Sequence, residues 1–217
     1  MLYPFLDRIR RFMMAPMLSK VDRILLFTGW RGLWIEGNEK YYRKMKENFL
    51  KPLSEGQLTA ICSYVTAENI NKLIGDAGIN GEIDLLSIDI DGNDYWVWKA
   101  ITCIQPRVVS IEYNAKFPPP CEWIMEYDPN HIWDGSDKQG ASLKSLELLG
   151  SELGYQLVGT SLTGVNAFFV KKEFTKDLFP DPATAENLYH PLGFEYVISN
   201  GPPVKKYIGN KYSTKRS

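Results

Sequence analysis

The chain has 217 residues, 44% of them apolar and 24% charged, with a formal charge of −1. That is enough for one domain with a proper core, and the near-zero charge argues against a mainly electrostatic nucleic-acid binder. No apolar run reaches the ~18 residues that a spanning helix needs, so no membrane span is expected.

Residues 1–18 set Arg8, Arg10 and Arg11 among apolar side chains and read as an amphipathic docking extension that ends near Pro16. The α/β domain is expected over residues 19–175, followed by a C-terminal extension and basic tail over 176–217. Ser19 to Phe27 reads as a helix capped by Ser19. Gly32 to Ile35 is a short apolar strand that ends in Glu36, Gly37 and Asn38. Glu39 to Leu50 is helical, with Tyr42, Met45 and Phe49 on one face. Leu58 to Val65 is the next strand, and Thr66 caps a helix that runs to Leu73 or Ile74.

Ile83 to Ile90 is a dense apolar run of the kind buried on both faces of a sheet. It leads through Asp91, Gly92, Asn93 and Asp94 into a helix over Tyr95 to Ala100. Arg107 to Glu112 is another buried strand. Lys116 to Asp137, rich in Pro, Trp and charge, is a long loop, and loops of that length are usually functional or disordered. Ala141 to Leu153 is a helix. Tyr155 to Gly159 and Val165 to Val170 form a hairpin around Thr163 and Gly164. Alternating strands and helices imply a doubly wound, mostly parallel α/β sheet, here with a C-terminal antiparallel hairpin. Cys62, Cys103 and Cys121 form no C-x-x-C pair. Cys62 and Cys103 read as buried free thiols, which suits a reducing cytoplasm.

Ligands of open α/β sheets bind outside the carboxyl ends of the strands, so the acids there are the candidates. Glu36 can accept hydrogen bonds from both ribose hydroxyls of an adenosine-containing cofactor, or serve as a helix N-terminal acid. Asp89 and Asp91 form a D-x-D pair whose carboxylates share one face of an ideal strand, while Gly92 allows a turn. Asp94 reads as a first-turn helix acid. If the Asp89 and Glu112 strands are neighbours, Asp89, Glu112 and Asn114 converge, enough for a divalent cation or a general base. His131 stands in the loop as a base or metal ligand. Trp133 and Tyr127 would wall a substrate pocket, and the helix start at Gly140 to Ser142 would hold an anion.

The segments GWRGLWIEGN, VTAEN, IDLLSIDIDGNDYWVWKAI, VVSIEYN, YDPNHIWDGSDKQGASL and GYQLVGTSLTGVNAFFV run from Gly29 to Val170. In this order they resemble the FkbM-like family of S-adenosylmethionine-dependent methyltransferases. The resemblance implies the class I methyltransferase sheet, with one strand of the hairpin antiparallel. It places Glu36 on the cofactor ribose, Ser63 and Tyr64 near the adenine, and Asp89 at the edge between cofactor and substrate. Asp91, Glu112 and His131 are then the candidates for general base, and the substrate is a small hydroxylated molecule such as a sugar. The family's first strand ends in a glycine-rich loop, and nothing upstream of Ser19 supplies one. The expected sheet therefore lacks that strand, in a shortened or divergent chain. Two alternatives follow: a non-catalytic binding module on the same fold, or a glycosyltransferase whose D-x-D holds a metal and a nucleotide sugar.

Overall fold

The computed structural model describes residues 29–176, 178, 179 and 182–193. The docking extension, the helix expected over Ser19 to Phe27 and the basic tail lie outside the described residues. The first strand, β1 (Gly32–Glu36), pairs in parallel with β2 (Leu58–Cys62), and helices α1 (Glu39–Asn48) and α2 (Leu50–Ser54) lie between them in sequence. Asn38 starts α1 by accepting from the Lys40 and Tyr41 amides, and the expected helix breaks at Phe49. The short α2 carries Pro52 within its first turn, where a missing N–H costs little. Strand β1 is buried on both faces. Leu33 and Ile35 enter the main core, while Trp34 packs with Met45, Phe49 and Leu58 on the other side.

The chain continues through α3 (Ile70–Asp76), β3 (Gly81–Ile88), α4 (Asp94–Ala100) and β4 (Ile104–Glu112). Thr66 and Asn69 satisfy each other's amides reciprocally ahead of α3, so the start signal read at Thr66 is used, although regular helix begins only at Ile70. Helix α5 (Leu143–Glu152) precedes β5 (Tyr155–Thr160) and β6 (Asn166–Lys171). The second sheet has the order β3-β4-β6-β5. Strands β3 and β4 are parallel, and β6 runs antiparallel to both β4 and β5. The hairpin thus places one strand against the direction of the others, as expected, in a mostly parallel α/β arrangement.

Among the described residues no ladder joins β1 to β3, so β1–β2 and β3–β4–β6–β5 stand as separate sheets over a shared core. Ile70 and Ile74 of α3, Trp98 of α4 and Leu146 and Leu149 of α5 fill that core against Leu86, Ile88, Val109, Ile111 and Phe169.

Beyond β6, the Pro-rich stretch contains α6 (Ala185–Leu188), started by Thr184. The segment is stitched to the body. Ala185 is fully buried, Tyr189 Oη donates to the Ala115 carbonyl, and the Gly193 amide donates to Thr163 O. Packing therefore continues past residue 175, where composition alone placed a boundary. Cys62 is exposed at the end of an edge strand and Cys103 is half-buried, so the reading of two buried thiols fails for Cys62. No helix among the described residues is long and apolar enough to cross a membrane.

Candidate functional site

A cavity of about 220 Å³ opens at the carboxyl ends of β1, β2 and β3. Glu36, Gly37 and Asn38 line one side, with Ser63, Tyr64 and Val65 beside them. Asp89, Ile90, Asp91 and Asn93 form the other side, closed over by Pro129, His131 and Ile132 of the long loop. Six of the eight residues singled out from the sequence thus line one cavity: Glu36, Ser63, Tyr64, Asp89, Asp91 and His131.

Glu36 is buried, and its Oε1 accepts from the Asn38 amide at 2.7 Å. Burial raises its pKa above the usual carboxylate value, and the nearby Asp91 charge adds to that. Next to it, Gly37 carries the Tyr64 ring: a Cβ at position 37 would stand 2.6 Å from Tyr64 Cδ1. Ser63 continues the strand edge by donating its amide to Glu36 O.

The parallel register pairs Ile88 with Ile111, which brings Asp89 alongside Glu112. One carboxylate oxygen each from Asp89, Asp91 and Glu112 lies within 4.8 Å of the others. The cause is not the strand alternation inferred for D-x-D. Strand β3 ends at Ile88, and Asp91 takes a left-handed backbone with φ 55° that turns its side chain back. Asp tolerates that region better than most side chains. Gly92 is needed for room instead of for a positive φ: a Cβ there would lie 2.2 Å from His131 Cδ2.

Asp94 holds this turn from below. Fully buried at the start of α4, its carboxylate accepts from the amides of Ile90 and Gly92, and burial pushes its pKa up to about 6. Glu112 rises well above the ordinary value, chiefly through burial and then through the Asp89 charge. Asp91 is also raised by burial, with His131 acting in the opposite sense.

His131 Nε2 lies 3.1 Å from the Asp91 carbonyl oxygen. A carbonyl only accepts, so Nε2 carries the proton and Nδ1 is the nitrogen left to act as a base. The loop that carries His131 is pinned by Asn93 Nδ2 donating to Asp128 O and by Trp96 Nε1 donating to Met125 O.

Asn114 does not join the acids. Its Nδ2 donates to the Asp137 and Gln139 carbonyls, and its Oδ1 accepts from the Lys116 amide, so the side chain is committed to shaping the loop. Asp91 takes the third place in the cluster instead. Trp133 bonds Ser136 O and Tyr127 is tied to Glu68 and the Ala67 amide, and neither lines the cavity. The walls come from Tyr41, Tyr64, Pro129 and Ile132, of which Tyr41, Pro129 and Ile132 are not singled out from the sequence and Tyr41 lies outside every motif quoted. The start of α5 is not an anion site, because Ser142 is fully buried and its Oγ already accepts from the Ser145 and Trp123 amides.

Two expected results follow. Gly92→Ala should displace His131 from the Asp91 carbonyl and cost about 1–3 kcal/mol, as overpacked sites do. Thermal melts and the His131 ring signals in NMR check it; an unchanged His131 environment would contradict it. Glu112→Gln should raise the melting temperature at pH 7.5. A carboxyl whose folded-state pKa lies above its unfolded value binds its proton more tightly when folded. Stability therefore falls as pH rises from about 4 through the folded-state value. The variant lacks that penalty and keeps a donor for Asp89. Melts from pH 4 to 8 should show the gap between the two proteins closing toward low pH. A pH-independent gap would refute the electrostatic cause.

No family model matches the chain, and no curated protein matches it either. Several solved structures are similar in shape. An O-methyltransferase from Bacillus cereus in complex with SAH is 16% identical, with 74% of this chain and 72% of that chain covered at a TM-score of 0.45. An S-adenosylmethionine-dependent methyltransferase from Clostridium acetobutylicum is 11% identical, with 74% and 83% covered at a TM-score of 0.44. The Burkholderia thailandensis 1,6-didemethyltoxoflavin-N1-methyltransferase, with its namesake ligand and S-adenosylhomocysteine bound, is 9% identical, with 76% and 71% covered at 0.44. Likenesses at this level carry no argument about what this chain does.

Proposed function

We propose that the cavity binds S-adenosylmethionine and that the chain transfers its methyl group to a small acceptor, a hydroxylated one in the simplest form. The observation that carries the reading is Glu36: a buried carboxylate at the tip of β1, facing a cavity, with one oxygen already oriented by the Asn38 amide. Burying an acid costs free energy unless something uses it, and a ribose diol supplies two donors. The FkbM-like motifs quoted above point the same way.

The residues fit the nucleoside end of that cofactor: Glu36 for the ribose, and Ser63 and Tyr64 beside the base, with the Tyr64 ring seated on Gly37. For the amino-acid end, no described residue supplies a glycine-rich turn, and the facing edges of β1 and β3 have no ladder among the described residues. The bound cofactor would supply an electrophilic methyl group. The chain's own contribution is to orient the acceptor and to take its proton. Asp91, Glu112 and His131 Nδ1 are the groups for the proton. A raised carboxyl pKa brings such a base closer to neutrality, where proton transfer is most effective. Positioning supplies most of the rate in a transfer of this kind.

A divalent cation would be held by Asp89, Asp91 and Glu112, an all-oxygen set of the type that hard cations take. The lack of a ladder on the facing edges of β1 and β3 among the described residues favours one other reading, a binding module on the same fold without catalysis. Titration calorimetry of S-adenosylhomocysteine into the full chain decides the cofactor. Saturable binding is expected, and no heat together with no thermal shift would overturn the proposal. Binding without turnover on any acceptor would favour the module.

A further inference from the structure

The charge of the cavity constrains the acceptor, granted the methyl-transfer reading. Among the described residues, Glu36, Asp89 and Asp91 line it, and no lysine or arginine does. His131 is the one described lining side chain able to carry a positive charge, and it is held by the Asp91 carbonyl. Three cations elsewhere on the body are engaged with other acids: Lys116 with Asp137, Lys144 with Glu147 and Glu186, and Arg107 with Glu82 and Asp84.

A sulfonium brings one positive charge. Set against three lining carboxylates, and with Glu112 left out of the count, it leaves the described lining negative even if His131 is charged. With Tyr64 taken up beside the base, Tyr41 and Ile132 remain at the mouth, 48% and 74% exposed. Exposed apolar side chains gathered at a cavity mark a binding surface, and aromatic faces favour cations over anions.

We infer that the acceptor is a small molecule with a planar apolar body and an uncharged or cationic reacting end, and that molecules bearing a carboxylate or phosphate are rejected. Asp91, a lining residue whose carboxylate stands by those of Asp89 and Glu112 and acts on Glu36, is the residue that sets this preference. Like charges brought together in partly screened surroundings repel, so a discrimination of tenfold or more is expected.

Three probes that share one phenol body test it: tyramine, tyrosol and 4-hydroxyphenylacetate, which end in an ammonium, a hydroxyl and a carboxylate. Each is titrated into the full chain with and without S-adenosylhomocysteine. Tyramine and tyrosol should bind, with 4-hydroxyphenylacetate at least tenfold weaker. Asp91→Asn should narrow the gap between tyramine and the acid severalfold. Equal or tighter binding of the acid, failure of all three, or a gap unchanged in Asp91→Asn would overturn the inference. A ranking that reverses on adding magnesium would also overturn it, by assigning the acids to a metal ion. Titration of S-adenosylhomocysteine alone separates the two readings. Its failure with the ranking intact removes methyl transfer and leaves charge selection standing.

Discussion

Phe169→Ala should lower the unfolding free energy by about 4 kcal/mol, within the range for buried Phe truncations. Phe169 is fully buried on β6, paired with Val109 on one side and Leu157 on the other. Its ring lies 4.9 Å from that of Trp98, centroid to centroid, and Trp98 in turn meets Tyr155 edge-on at 5.8 Å. On the helix side the nearest residue is Gly150, where a Cβ would come within 2.8 Å of the Phe169 ring. The α5 backbone therefore lies directly against the ring and has no side chain with which to fill a void. For a domain of this size the loss corresponds to a fall in melting temperature on the order of 10 °C. Phe168 is the internal control. It is adjacent, of the same type and half-buried on the opposite face. Phe168→Ala should cost less than half as much. Urea melts of both variants check the pair, and equal losses would mean that the core does not sit on the α5 face.

How much of this was legible in the chain depends on how local each cause is. Glu36, Asp89 and Glu112 could be placed because the tip of a buried parallel strand is marked by an apolar run ending in an acid. The Asp89–Glu112 juxtaposition needed only that β3 and β4 be neighbours, which they are. The hairpin announced itself through Gly164, which takes a φ of 70°. Asn114 was misjudged, since its partners, Asp137 and Gln139, lie far along a loop whose path no periodicity records. The positive φ falls on Asp91, while Gly92 makes room for a histidine 39 positions later. Tyr41 and Ile132 reach the cavity only through tertiary closure. The segment from Thr184 to Gly193 reads only as C-terminal extension because its helix is four residues long and its anchors are distant in sequence: Tyr113 Oη donates to His190 O, and Thr160 meets His190 Nδ1 at 2.7 Å.

Glu36→Ala should separate binding from folding. If the carboxylate accepts both hydroxyls of a ribose, its removal deletes two hydrogen bonds to a charged group, each worth roughly 1.5–3 kcal/mol. The affinity for S-adenosylhomocysteine should then fall more than a hundredfold. The fold should not weaken in step. Burial and the Asp91 charge hold the Glu36 carboxyl above its ordinary pKa, so at neutral pH the ionised form is a cost to the folded state. Against that, the variant loses one acceptor for the Asn38 amide, while Asn38 itself still caps α1 through Lys40 and Tyr41. A melting temperature unchanged or slightly raised, together with lost binding, is the expected pair of results. A helix-terminal acid with no ligand would give the reverse: binding intact and the melting temperature down by a few degrees. Glu36→Gln sharpens the distinction. It retains one acceptor oxygen in place of two, so it should keep part of the affinity, whereas a purely electrostatic role would make the two variants equivalent.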